Sequence, residues 1–385
     1  MRSVAVLPAV AALSVAAALA AEIRLPKPYH TPSANNRPRV IPAPAGARLS
    51  VPAGFTVEPY ASGFTQPRLM VYGPSGEILL SDSRAGIVYL LEPERRPLLE
   101  NLDRPYGMAF HQEWLYVAET TSVKRYRYDR AARKAATPGE EVVSMKDFGK
   151  GHWTRSLLFD QAGKKMYVGI GSGSNVDHGE PEMRAAINRF NPDGSGHEIF
   201  AAGTRNPTAL RWNPVTGELW AAVQERDALG DDLVPDFLTP IRQGGFYGWP
   251  YAYIGPHADP RRSERPDLVA KTLTPDVLLG AHVAVLDFLF YGGTQFPKQY
   301  RGGAFLAWHG SWNRSQRVGQ SVAFVPFKNG KPAGEPREFL TGWMLGPDKQ
   351  EVWGRPVGLL EMRDGSLLVS EDGNGTIWRI AYRGK

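Results

Sequence analysis

The phrase Arg104-Pro105-Tyr106-Gly107-Met108-Ala109-Phe110, followed by Glu113-Trp114-Leu115-Tyr116-Val117, reads as two short apolar strands joined by a tight turn. The same phrase recurs as Gln66-Pro67-Arg68-Leu69-Met70-Val71 with Glu77-Ile78-Leu79-Leu80, and as Trp153 to Phe159 with Met166-Tyr167-Val168. It returns as Asn206-Pro207-Thr208-Ala209-Leu210 with Leu219-Trp220, and as Arg355-Pro356-Val357-Gly358-Leu359-Leu360 with Leu367-Leu368-Val369. A third strand follows most copies, such as Ser122 to Tyr128 and Ala186 to Phe190. The first spacings are roughly 38, 49 and 53 residues, the period of propeller blades.

A degenerate copy, Gly303-Ala304-Phe305-Leu306-Ala307-Trp308-His309 with Ser321 to Val325, lies in the longer interval before the last clear one. Five clear copies and one degenerate copy predict an all-β, six-bladed β-propeller of four-stranded antiparallel blades. Phe55 to Tyr60 is expected to supply the closing strand, which removes exposed sheet edges. Long top-face loops are expected at Gly171 to Met183, Gln224 to Pro240 and Tyr251 to Leu279, with little helix anywhere.

Composition agrees with a cored globular chain. Of 385 residues 42% are hydrophobic, and the 41 glycines and 32 prolines suit many turns. There is no cysteine, so disulfides, thiolate metal sites and covalent haem attachment are excluded. The net charge of +6 comes from scattered Lys and Arg, which gives no nucleic-acid signature but suits an anionic ligand. Met1-Arg2, the apolar run Val4 to Ala20 and the small residues at Ala18 and Ala20 read as a signal peptide spanning residues 1–21. The mature protein is therefore expected in the periplasm or secreted, with no stable membrane span after cleavage. Residues 22–50 read as an extended leader lying across the surface of a propeller domain at 51–385.

Four constellations carry chemistry. In Gly151-His152-Trp153-Thr154-Arg155-Ser156-Leu157, strand periodicity puts Trp153, Arg155 and Leu157 on one face and leaves His152 at the strand mouth. Gly203-Thr204-Arg205-Asn206-Pro207 places Arg205 and Asn206 at the equivalent strand entrance. Gln224-Glu225-Arg226-Asp227-Ala228-Leu229-Gly230-Asp231-Asp232 gathers four carboxylates, hard donors of the kind calcium takes, without the spacing of an EF-hand. Trp308-His309-Gly310-Ser311-Trp312-Asn313-Arg314 is the fourth, with His282 upstream. Arg205, Arg314 and Arg355 sit near strand boundaries of different blades. Were those boundaries to share one rim, three guanidiniums would meet a multiply carboxylated ligand.

These motifs, together with Gly245-Phe246-Tyr247-Gly248-Trp249-Pro250, resemble the soluble pyrroloquinoline quinone (PQQ)-dependent glucose/sorbosone dehydrogenase family, and the sorbosone branch more than the glucose branch. The resemblance runs from about Val51 to Ala381. It implies a PQQ- and Ca2+-dependent oxidoreductase acting on an aldose, a sorbosone-like aldehyde or a polyol. By the resemblance His152 is the base that takes the substrate proton and Arg205 contacts the quinone oxygens. Arg155, Asn206, Arg314 and Arg355 join Arg205 as cofactor-binding residues, and the backbone of Arg226 and Asp227 holds the metal. Gly151 and Arg226-Asp227 stand where the glucose dehydrogenases have Asp and Gly-Pro. The implied partners are a small sugar or aldehyde and a periplasmic electron acceptor, since the chain has no haem motif of its own. Two other classes remain open from the residues alone: a metal-dependent propeller lactonase, which the preponderance of His and Arg disfavours, and a non-catalytic binding propeller.

Overall fold

In the strands that form the middle of each blade, successive residues bury on opposite faces against two different neighbours. Leu79 packs with Val88, Met108 and Val117, whereas Ile78 and Leu80 pack with Met70, Leu368 and Ile377. Ala221 and Val223 face one cluster and Trp220 and Ala222 another. A strand buried on both faces must be apolar throughout, which is why these segments read as continuous hydrophobic runs. Each fully buried Leu or Val contributes about 1.5–3 kcal/mol.

The computed structural model describes residues 23–384 except 93, 150 and 178. The predicted signal peptide lies outside the described residues. Six antiparallel sheets form a ring, the six-bladed propeller expected from the repeat. Their innermost strands are Pro67–Tyr72, Met108–His111, Arg155–Phe159, Asn206–Trp212, Val285–Phe290 and Pro356–Glu361. Blade two gains a fifth strand, and blade three gains the short Gly245–Phe246 in parallel with Glu198–Ala202. Phe55–Ser62 pairs antiparallel with Thr376–Tyr382 as the outer strand of blade six, so the two ends of the chain close the ring. Among the described residues no helix is long and apolar enough to cross a membrane.

Two expectations are corrected. Blade five opens on Val285–Phe290, and Ala304–Trp308 is its second strand, not its first. The buried Asp287 and the adjoining long loop hid the alternation there. The loops after blade four's second strand are also shorter than expected. Pro235–Pro240 and Val277–Ala281 are strands of that blade, paired with each other. The intervening excursion holds one six-residue helix, Pro266–Lys271.

A hydrogen bond joins the inner part of each blade to the next. Ser81 Oγ donates to Tyr106 O (3.0 Å), Gly107 N to Arg155 O (3.1 Å), and Ser156 Oγ to Pro207 O (3.0 Å). Thr208 Oγ1 donates to Val285 O (2.9 Å), Leu359 N to Asp287 Oδ2 (2.9 Å), and Ser370 Oγ to Arg68 O (2.5 Å). The repeat glycine belongs to this seam. A Cβ on Gly107 would stand 2.5 Å from Arg155 O, and one on Gly358 2.3 Å from Arg68 O, so at these two junctions the blades approach only over glycine.

The leader crosses the top of the ring as a strap. Ile23 and Leu25 pack on the blade-four core, Tyr29 N bonds Leu229 O, and Asn36 N bonds Trp312 O. Arg39–Val40 then pairs in parallel with Glu351–Val352, and Ile41, Ala47 and Leu49 rest on the aromatic core of blades five and six. Ser370→Ala leaves the Arg68 carbonyl and the Gly358 amide, both inside the seam, without their hydroxyl partner. It is expected to destabilise the fold by about 1–3 kcal/mol in urea unfolding, and an unchanged midpoint would show that the seam is not stabilising.

Candidate functional site

Proline stands first or second in three inner strands, and each of those strands then bulges: after Pro67, after Pro207 and after Pro356. A bulge adds a residue on one strand and re-aims the side chains beside it. Arg68, Arg205-Asn206 and Arg355 all sit at these entrances. They share the end of the channel with His152, Trp153 and Thr154, which lead into Arg155–Phe159.

Three adjoining cavities occupy that end. The innermost, of about 70 Å³, is lined by His152, Arg205, Gln224, Asp227 and His282, among others. The next, of about 260 Å³, shares His152 and Gln224 with it and adds Arg68, Trp153, Asn206, His309 and Arg355. The outermost, of about 350 Å³, is bounded by Arg37, Pro38, Trp312 and Arg355. Trp312 walls all three. Arg37, carried by the strap, lies 5.5 Å above its ring. Tyr106, fully buried with its hydroxyl on Leu286 O (3.0 Å), lies deeper in the channel. The opposite ends of the inner strands enclose a separate cavity of about 340 Å³, walled mainly by Leu, Met and Val side chains.

His152 Nδ1 lies 2.8 Å from Ser172 O. A carbonyl only accepts, so Nδ1 carries the proton and Nε2 presents its lone pair. Burial, then the Arg205 charge, push the imidazole down to about 3, and the Ser172 bond and Asp227 oppose them. The ring is therefore neutral throughout the physiological range. Arg205 donates to Glu225 O (2.5 Å), Asn175 Oδ1 (3.1 Å) and Asp227 Oδ2 (3.1 Å). Asp227 is raised by burial, but Arg205 and His282 outweigh this and hold it below its ordinary value. Burial lifts the Glu225 carboxyl to about 8, so it is protonated at neutral pH. Arg355 spans His309 O (3.2 Å) and Gly310 O (3.3 Å), and burial lowers it to about 10. Among the described residues, several polar atoms around the cavities are buried without a partner: Arg68 Nε, Arg205 Nε and Asn206 Oδ1.

The structure brings five of the residues singled out from the sequence to these cavities: His152, Arg205, Asn206, Asp227 and Arg355. Arg155 is buried one layer behind, its guanidinium on the carbonyls of His152 and Thr154. Arg226 turns away to pair with the buried Asp259 (2.6 Å). Arg314 does not converge with the others. It pairs with Asp232 (2.9 Å) and lines a side cavity with Arg24 and Arg317, and Arg68 is the third guanidinium of the channel.

Sequence reasoning passed over Arg68, Asp372 and Arg37. Arg68 had a signal, since it follows the repeat proline of blade one directly. Arg37 had none, because only the folded path of the strap places it.

Fold and site together define a six-bladed propeller with a guanidinium-lined ligand cavity at one end of its channel. The TrAA12-like family matches residues 49–235 and 261–383, and the chain belongs to that family. Its relatives include a PQQ-dependent sugar dehydrogenase of Hypocrea jecorina, 24% identical over 89% of this chain and 90% of the other. An uncharacterised protein of Borreliella burgdorferi is 28% identical over 87% of this chain and 91% of its own length. Among solved structures, the calcium structure of the Trichoderma reesei carbohydrate-active enzyme of family AA12 superposes with a TM-score of 0.75 at 21% identity, over 90% of this chain and 99% of that one. The quinoprotein family expected from the motifs is thus the family found.

Proposed function

We propose that the protein is an exported PQQ- and calcium-dependent dehydrogenase that oxidises a sugar or sugar aldehyde at the top of the propeller. The observation that carries this reading is the joining of a neutral, accepting imidazole, His152, to three guanidiniums, Arg68, Arg205 and Arg355, around connected cavities. PQQ is a planar quinone with three carboxylates, and such a group needs donors and cations. The unpartnered Nε atoms of Arg68 and Arg205, the carbonyl-only contacts of Arg355 and the flat wall of Trp312 fit it. Calcium takes hard oxygen donors, and the Asp227 carboxylate and Gln224 amide face the innermost cavity. No three His, Asp or Glu converge as a metal cage among the described residues, so oxygens of the cofactor and water would complete its shell.

When bound, the quinone supplies the two-electron acceptor that takes hydride from the substrate carbon. The chain supplies the proton acceptor and the electrostatics. His152 Nε2 takes the hydroxyl proton while the Nδ1–H bond to Ser172 O holds the ring in place. Asp227, beside Arg205, offsets the positive charge that arrives on the imidazole. Arg205 and Arg355 orient and stabilise the anionic cofactor. Sorbosone-like aldehydes and aldoses remain the substrate classes to assay, with electrons leaving to an external periplasmic acceptor.

Reconstitution with PQQ and calcium, followed by dye reduction on a panel of sugars and aldehydes, tests the reading. Absence of any spectral change on adding PQQ would refute it. His152→Ala is expected to lower kcat by ~10²–10⁴-fold while PQQ affinity stays within a few fold, and near-normal turnover would remove it as base. Because His152 is already unprotonated above about 3, kcat/KM should show no acid limb from this base between about pH 5 and about pH 8. An acid limb near the ordinary imidazole value would contradict that environment. Arg355→Ala should weaken PQQ binding by ~10–100-fold in an absorbance titration, and unchanged affinity would refute its carboxylate role.

A further inference from the structure

His309 follows directly on blade five's second strand, Ala304–Trp308, and the dehydrogenase reading gives its imidazole no chemical task. Its Nε2 is 2.8 Å from Asp372 Oδ1, and Arg68 clamps the other oxygen of that carboxylate at 2.6 Å. Gln66 Nε2 approaches the same oxygen at 3.4 Å. Burial raises the Asp372 carboxyl, but Arg68, His309 and Arg355 outweigh it and hold the group well below the ordinary carboxylate range. An ionised carboxylate only accepts, so Nε2 must carry the proton. Burial and the Arg355 charge also push His309 down to about 4, which keeps the ring neutral and leaves Nδ1 as a lone pair. Among the described residues Nδ1 has no protein partner. The ring lines the same 260 Å³ cavity as His152.

The cavity therefore presents two imidazole acceptors, reached through opposite ring nitrogens, among guanidinium donors. These suit different chemistries. A quinone edge of carbonyls and carboxylates offers acceptors and is matched by the guanidiniums. An imidazole lone pair is matched by a hydroxyl donor, which a sugar has in plenty.

We infer that His309, held by Asp372 and Arg68, is a substrate-binding residue that accepts a hydrogen bond from a sugar hydroxyl other than the one deprotonated by His152. The inference rests on the dehydrogenase reading and names the part of that site which recognises the polyol. It makes the protein selective for substrates with a second hydroxyl within reach of His309.

The test uses holoenzyme reconstituted with PQQ and calcium, an aldose that the wild type oxidises, and its monodeoxy analogues. PQQ affinity is read separately by absorbance titration without sugar. His309→Ala should raise KM by ~10-fold or more with little change in PQQ affinity, and His309→Gln, which keeps an acceptor, should recover part of the loss. One deoxy analogue should be a poor substrate for the wild type yet cost His309→Ala nothing further, the signature of a lost pairwise contact. Weakened PQQ binding at unchanged KM would overturn the inference by making His309 a cofactor residue. Unchanged KM in both variants, or equal losses for every deoxy analogue in wild type and variant, would overturn it as well. A wild type that binds no PQQ and oxidises no sugar instead fails the dehydrogenase reading, a result separable from these.

Discussion

The hydrogen bonds between the inner parts of neighbouring blades set the geometry on which the rest depends. Blade packing alone is a matter of apolar area and has little direction. The bonds from Ser81, Ser156, Thr208 and Ser370 to the next blade, with those at Gly107 and Asp287, fix the depth at which each strand entrance meets its neighbour. Because all six junctions carry one, His152, Arg205 and Arg355 arrive at the same end of the channel from three different blades. The bulges after Pro67, Pro207 and Pro356 belong to the same device. In blades one and six the hydroxyl of Ser81 or Ser370 accepts the amide that the bulge frees and donates to the adjacent blade.

The site then follows from how charge is treated at that end. Arg205 and Arg68 each hold an aspartate, Asp227 and Asp372, and each aspartate holds a histidine. The two arrangements leave guanidinium edges and a lone pair open to the cavity without leaving an uncompensated buried charge, which would cost several kcal/mol. His152 lies between them and takes its orientation from a backbone carbonyl, so its lone pair is set by the main chain and not by a titrating partner.

The architecture was legible because a propeller repeats. A strand, a tight turn and a second apolar strand recur in five clear copies and one degenerate one, and counting those copies predicted six blades, with Phe55 to Tyr60 left over as the closing strand. The failures have specific causes. Val285–Phe290 was missed because it carries the buried Asp287. Pro235–Pro240 was read as loop because proline opens and ends it. The site was legible where a residue adjoins the repeat, as for His152, Arg205, Asn206 and Arg355. It was not where a long side chain had a choice of direction. Arg155 and Arg314 are near the right place in the chain, and the carbonyls of His152 and Thr154 and the Asp232 carboxylate draw their guanidiniums elsewhere. Asp372 and Arg37 depend on contacts between distant parts of the chain, which no local pattern encodes.

The ion pair between Arg68 and Asp372 crosses the seam where the last blade meets the first. Residues from distant parts of the sequence thus meet at the wall of the cavity that Arg68 lines. A chain shortened by its final blade would keep His152, Arg205 and Asp227 but lose Asp372, the carboxylate that anchors His309, along with Arg355. The grip on an anionic ligand is therefore shared between the first blade, through Arg68, and the last, through Asp372 and Arg355.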